Sequence, residues 1–366
     1  IPDNQGRDNP ASHELGRIIN QAKADAKMFF NAHDGQVFVG ESGTELLFRL
    51  ISTAILGTAK GGHVLGSTLE HPASSSACKR WSEIAGKDYV AVIHNNETLS
   101  VDAADYMPHI TADTRVATIL HTSPVSGMGV DVGAISRAIR AKSPDCIIIV
   151  DGIQHAAHGG IDIDSYDIDG YVVSPYKMFS RHGYGVAWIS DRLSKMPHNS
   201  LIGGPSENWE MGTRDTGSYA TFTDVVNYFD WLGSKVSDSK DKRERIEAAG
   251  VAIKAHERDL CHAMINGTGN LKGLLEMPGV GILGGIDNPL REGLVSITLE
   301  GMSAPDLVTA LRERGIRTHA RKDDHYSGNI LTPLGLNNCV RVSMCHYNTE
   351  SEVAQFLAAM QEISGA

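Results

Sequence analysis

Cysteine is scarce in this chain, and positive charge is outnumbered by negative. The five cysteines (78, 146, 261, 339 and 345) are an odd set with no CxxC spacing. That argues against a disulfide-framed scaffold and fits reduced thiols in a cytosol, so a cytoplasmic location is expected. Lys and Arg number 33 against 44 Asp and Glu, a net charge of −11. This is the wrong sign for nucleic acid or an anionic membrane surface as the main partner. No apolar run approaches the ~18–20 residues of a spanning helix. A GxSxG serine elbow is absent, which leaves a serine hydrolase without support. Among the histidines, His155 and His158 have the wrong spacing for a zinc protease and no Glu between them, so no metal centre is expected. The chain opens at Ile1 with neither Met nor a signal-peptide pattern, and its native N-terminus is expected upstream.

What is present is a chain of 366 residues, 41% hydrophobic, enough for full cores in two domains. Its centre of gravity is the stretch from Cys146 to Ile189. Two short apolar runs, Ile147–Val150 and Tyr171–Val173, each end in a polar residue. Such runs read as strands buried on both faces. Asp151 closes the first and Ser174 follows the second, with Lys177 three residues on. In open α/β sheets, ligands bind outside the carboxyl ends of the strands, which places these groups at a binding edge. A carboxylate and an amine so placed suit pyridoxal 5′-phosphate. The lysine would form the Schiff base, and the carboxylate would keep the ring nitrogen protonated so that the ring draws off electrons.

Upstream, Val37–Val39 reads as a strand that meets Ser42-Gly43-Thr44 and then a helix bearing Leu47, Leu50, Ile51 and Ala54. That turn is either a plain helix cap or an anion site made by open N–H groups and the helix dipole. Glu70-His71 ends a second strand, and His121, Thr122 and Ser123 end a third. Residues 225–265 read as helical. Gly279 to Gly284 matches a dinucleotide fingerprint, but Pro278 precedes it and Asn288-Pro289 follow. A helix would not tolerate this context, so the segment reads as a strand. The last hundred residues read as strand (294–299), helix (304–314), strand (316–319), loop, strand (340–344) and helix (349–363).

Taken together, Asp151, Gln154, Ser174, Lys177 and the Gly183-x-Gly185 strand resemble the class V aminotransferase and cysteine desulfurase family of fold-type I pyridoxal-phosphate enzymes. NPASHELGR near the start and CVRVSMCHYNT near the end resemble that family's entry segment and carboxyl-terminal signature. The resemblance implies an α/β fold: a mostly parallel seven-stranded large domain (15–260) and a small α+β carboxyl-terminal domain (261–366, with part of 1–14). It implies catalysis by Lys177 with Asp151. Gly43, Thr44, His71, Ser123, Gln154, Ser174, Tyr176 and Thr213 would hold the cofactor, His71 by stacking on the ring and Thr213 by reaching a neighbouring subunit's phosphate site. Arg341 would clamp a substrate carboxylate, because a guanidinium offers it two parallel hydrogen bonds, and His182 would stand beside the substrate. It also implies a homodimer with shared active sites and a small amino acid as substrate. Transamination is the first expectation, with a lyase or epimerase reaction of the desulfurase type as the alternative. The sequence departs from desulfurases in two places. Pro124 stands where an Asn usually helps bind the ring hydroxyl, and the loop from His319 to Pro333 has no cysteine to carry sulfur.

Overall fold

A computed structural model of the chain describes residues 6–213 and 215–366. Its larger sheet comprises β1 (Gln36–Gly40), β2 (His63–Ser67), β3 (Asp88–Val92), β4 (Thr114–Leu120), β5 (Ile147–Asp151), β6 (Gly170–Val173) and β7 (Gly185–Ile189). The strand order is β1-β7-β6-β5-β4-β2-β3. Only β7 runs against its neighbours, and the pairs among β2 to β6 are parallel. Every residue of β5 and β6 is buried, as a parallel sheet covered on both faces requires.

Alternation along each strand divides the core into two faces. Ile147 and Ile149 join Phe38, Val64 and Val172 on one side. The helix Gly43–Gly57 covers this side with Leu46, Leu47, Leu50, Ile51 and Ala54. Ile148 and Val150 face the other side with Val173 and Tyr171. There the helices Pro10–Phe30 and Thr216–Gly233 contribute Phe29, Phe30, Phe222 and Phe229, packed edge to face or tilted.

A short pair, β8 (Gly267–Thr268) and β9 (Leu271–Lys272), leads into a four-stranded antiparallel sheet. That sheet comprises β10 (Val280–Ile282), β11 (Leu294–Leu299), β12 (His319–Lys322) and β13 (Asn338–Ser343), in the order β10-β11-β13-β12. Within the 279–284 segment, Val280–Ile282 is thus a strand, and Gly279, Leu283 and Gly284 lie in the turns on either side. We place the junction between the two units inside the 25-residue helix Lys242–Asn266. Its Ile246, Ala249 and Ile253 pack with the large core, and Leu260, Cys261 and Met264 with the small one.

Two expected elements move. The helical stretch read over 225–265 is two helices, the first starting as early as Thr216 and the second capped by Asp241, whose side chain accepts from Glu244 N–H. The strand read at 316–319 starts only at His319. Ile316 N–H is still closing the preceding helix through Leu311 O at 3.0 Å, and the ladder with β13 begins at His319 opposite Arg341.

Candidate active site

The carboxyl ends of β5 and β6 carry the chemistry. Asp151 ends β5 and accepts a hydrogen bond from Ile153 N–H at 3.0 Å through Oδ1. After β6, Pro175–Met178 make one tight helical turn that starts from Ser174, with Lys177 N–H donating to Ser174 O at 2.9 Å. Lys177 Nζ donates to Gln154 Oε1 at 3.0 Å. Gly43, Thr44, His71, Asp151, Gln154, Ser174, Tyr176 and Lys177 line one cleft, joined by Ser42, Leu120, Pro124, Ile153 and Tyr326. Tyr326 comes from the loop after β12, so the small unit closes one wall.

The helix Gly43–Gly57 points its amino end into this cleft. Ser42 caps it by accepting from Glu45 N–H at 3.1 Å, which leaves the first-turn N–H groups of Gly43 and Thr44 without intrahelical partners. Glycine is required at 43, because a Cβ there would stand 2.4 Å from both Ser174 Oγ and Ile153 Cδ1. His71 Nδ1 accepts from Ala73 N–H at 3.1 Å, which caps the helix Pro72–Ala85. Its ring meets Tyr326 edge-on at 4.8 Å.

Burial and local charge set the titrations. Burial pushes Asp151 up to about 6, against the pull of Ile153 N–H and Lys177. Burial brings Lys177 down to about 8; Asp151 resists this, while Arg341 and Arg321 add to it. The amine is therefore about half neutral near pH 8, well below the range of a solvated lysine. His71 falls to about 4 through burial, then Lys177 and Arg321, and stays neutral. Glu70, buried behind Asp151, rises to about 8 through burial and the Asp151 charge.

A polar chain runs back from the amine. Gln154 Nε2 lies 3.2 Å from His158 Nε2, and His158 Nδ1 lies 2.8 Å from Glu257 Oε2. Beside it, His155 Nδ1 lies 2.6 Å from Glu292 Oε1, and Thr122 donates to the same carboxylate at 2.9 Å. The two histidines that invited a metal reading are thus each engaged by a separate glutamate.

Four expected site residues are not among those lining the cleft, although Thr213 was expected to serve a neighbouring subunit's site. Ser123 is buried beside the cleft, where its Oγ accepts from Val125 and Ser126 N–H at 3.3 and 3.2 Å. Pro124 takes the place on the wall. Thr213 is exposed on the 201–213 loop. His182 stacks on Tyr176 at 4.6 Å, outside the lining. Arg341 stands at the small-unit side and donates to Pro124 O at 3.0 Å. Sequence reasoning missed Arg321, which donates to that same carbonyl at 3.4 Å. A strand placed three residues too early hid it, although the Arg317-x-His319-x-Arg321 alternation was visible. Glu257, Glu292 and Glu70 were also missed.

The family model described as "Aminotransferase class-V" matches residues 7–356. The chain belongs to the class V aminotransferase family. A probable cysteine desulfurase of Xylella fastidiosa is 26% identical over 340 residues, covering 88% of this chain and 74% of the relative. An aminotransferase-like protein of Gibberella zeae is 26% identical over 370 residues, covering 98% and 86%. Among solved structures, a cysteine desulfurase of Thermococcus onnurineus superposes with a TM-score of 0.83 at 18% identity, over 100% of this chain and 88% of that one. This likeness concerns the fold, which is fold-type I.

Members of this family use pyridoxal phosphate. The class V cleft here offers groups that suit it: a near-neutral amine, a buried carboxylate facing the same space, and an open helix end for a phosphate.

Proposed function

We propose that the protein is a pyridoxal-phosphate lyase acting on a small amino acid, related to cysteine desulfurases but working without a thiol carrier. One observation carries the reading: Lys177 and Asp151 share a cleft that no cysteine lines. Cys78, Cys146, Cys261 and Cys339 are buried. Burial also raises the thiols of Cys339 and Cys345 to about 11, the reverse of what a persulfide nucleophile needs. The desulfurase relatives favour a lyase over transamination, which the family membership alone would equally allow.

When bound, pyridoxal phosphate supplies a sink for the electron pair left at the substrate's Cα. Open N–H groups of Gly43 and Thr44 would hold its phosphate, Asp151 would support its ring nitrogen, and the neutral His71 ring would offer a face to pack on it. Gln154 is the acceptor nearest the amine. Arg341 holds the substrate α-carboxylate, which aims the Cα–H bond at Lys177. Lys177 Nζ takes that proton, its depressed pKa leaving a large neutral fraction near pH 8. Tyr326 and Tyr176 flank the opening and limit water. The protein acts as a cytoplasmic homodimer on this reading: the five free cysteines support the compartment, and the exposed 201–213 loop, where Leu201 and Ile202 face solvent in the single chain, supports the dimer.

The test supplies holoenzyme with a panel of amino acids, with and without a 2-oxo acid acceptor. A lyase releases product without the acceptor. A strict acceptor requirement would establish transamination and overturn the proposal. With L-cysteine and reductant, sulfide release that vanishes in a Cys339→Ser, Cys345→Ser double variant would restore a thiol carrier.

A further inference from the structure

Arg321 and Arg341 form an incomplete charge site. They lie on neighbouring strands, with Arg321 opposite Cys339 and Arg341 opposite His319, so both project from the same face of β12 and β13. Both guanidiniums reach the Pro124 carbonyl, at 3.4 and 3.0 Å. Arg321 also lies over the Tyr326 ring, 4.5 Å from its centroid. Tyr326 and Pro124 line the cleft that holds Lys177.

Buried or half-buried charges in proteins are normally paired. These two are not. Among the described residues neither arginine forms an ion pair, and the Nε atoms of both are buried with no hydrogen-bond partner. One carbonyl oxygen cannot neutralise two cations. Asp324, which the Tyr326 and Ser327 N–H groups and, least of all, Arg321 hold below the usual carboxylate range, is exposed and already accepts from those N–H groups at 2.9 and 3.2 Å. Burial and Arg321 hold Arg341 down to about 10, as the absence of a carboxylate partner allows. A single α-carboxylate brings one negative charge against two cations, which leaves one positive charge unneutralised.

We propose that Arg321 and Arg341 together select an amino acid that carries a second acidic group on its side chain as well as its α-carboxylate. Arg341 takes the α-carboxylate and Arg321 the side-chain acid. This deepens the lyase reading, since it names the substrate class of the same cleft, and it rests on that cleft being the amino-acid site.

The test measures equilibrium binding to holoenzyme by calorimetry, using succinate and butyrate. These share a four-carbon skeleton and differ by one carboxylate. Succinate is expected to bind about ten- to hundredfold more tightly, the range of one charge-assisted contact. Arg321→Gln brings the succinate-to-butyrate ratio near one, and Arg321→Lys, which keeps the charge but loses the fork, restores part of it. Should Arg321→Gln fail to fold, the reduced ratio in Arg321→Lys decides alone. Equal binding of the two acids by the unaltered enzyme would overturn the proposal. So would equal weakening of both by Arg321→Gln, because both arginines would then serve one carboxylate. No turnover is involved: a selective site on an enzyme that needs a 2-oxo acid acceptor would sink the lyase reading and leave the selectivity standing.

Discussion

The two walls of the cleft are built on different electrostatic terms. On the large-sheet side the groups at and behind the cleft are met by partners: Asp151 stands near Lys177, His158 meets Glu257 and His155 meets Glu292, while Glu70 is held protonated near neutral pH. On the small-sheet side Arg321 and Arg341 have only a shared carbonyl. A compensated wall keeps its geometry without ligand, and an uncompensated one is completed by the anion it binds. The large wall therefore suits a resident cofactor and the small wall suits the substrate that comes and goes.

The strongest blow to the compensated wall is Lys177→Ala. It should end covalent, borohydride-fixable retention of cofactor and lower turnover by on the order of 10²–10⁴-fold or more, with the fold intact by circular dichroism. Cofactor still fixed on another lysine would refute the assignment. Asp151→Asn should retain cofactor yet lose most of kcat, because a neutral amide no longer favours a protonated ring nitrogen; a kcat within a few-fold of the parent would show the role is wrong.

Breaking a pair behind the cleft should cost stability first. Burial pushes His158 down and Glu257 more than offsets it, leaving the imidazole above its ordinary value. Glu257→Ala strands it, for a loss of about 3–5 kcal/mol in denaturant unfolding at neutral pH. A loss below about 1 kcal/mol would mean that the pair is not compensating. On the other wall, Arg341→Lys should raise KM for an amino-acid substrate by about tenfold as the bidentate fork is lost, with a smaller change in kcat. An unchanged KM would move the carboxylate site elsewhere.

Two smaller effects follow from pH. In enzyme stripped of cofactor, acylation of Lys177 should rise through about pH 8, since a depressed pKa exposes the neutral amine earlier than in a solvated lysine. Asp151→Asn removes the charge that supports the ammonium, so the midpoint should fall further. Glu70 has the opposite sense. Its folded pKa, raised to about 8, means that the folded state holds a proton the unfolded state has lost above about 4.5, so its contribution to stability falls as pH climbs between them. Glu70→Gln should therefore raise Tm by on the order of a few degrees at pH 8, with less gain at pH 5. An equal gain at both would point to packing instead.

Much of this was readable before any coordinates. Asp151, Gln154, Ser174 and Lys177 lie in one stretch on two strands whose apolar runs announce themselves, so period and spacing place them at one sheet edge. Gly43 and Thr44 were readable for the same reason, since a strand, a small-residue turn and an amphipathic helix form a local unit. Ser123 and Arg321 were not. Whether a hydroxyl at a strand end faces a ligand or folds into its own turn depends on one torsion that spacing does not set. A strand start misplaced by three residues changes which side chains it offers to the cleft.

The sequence by itself determined the fold class, the cofactor chemistry and the order of the motifs, because its motif residues resemble those of a known family and its local periodicity sets them at strand ends. The tertiary structure alone decided which charges meet. Glu257, Glu292 and Arg321 lie 99, 137 and 197 positions from His158, His155 and the Pro124 carbonyl they reach. Such pairings depend on how two sheets are docked. No local pattern encodes a counter-ion, or the lack of one, across that distance.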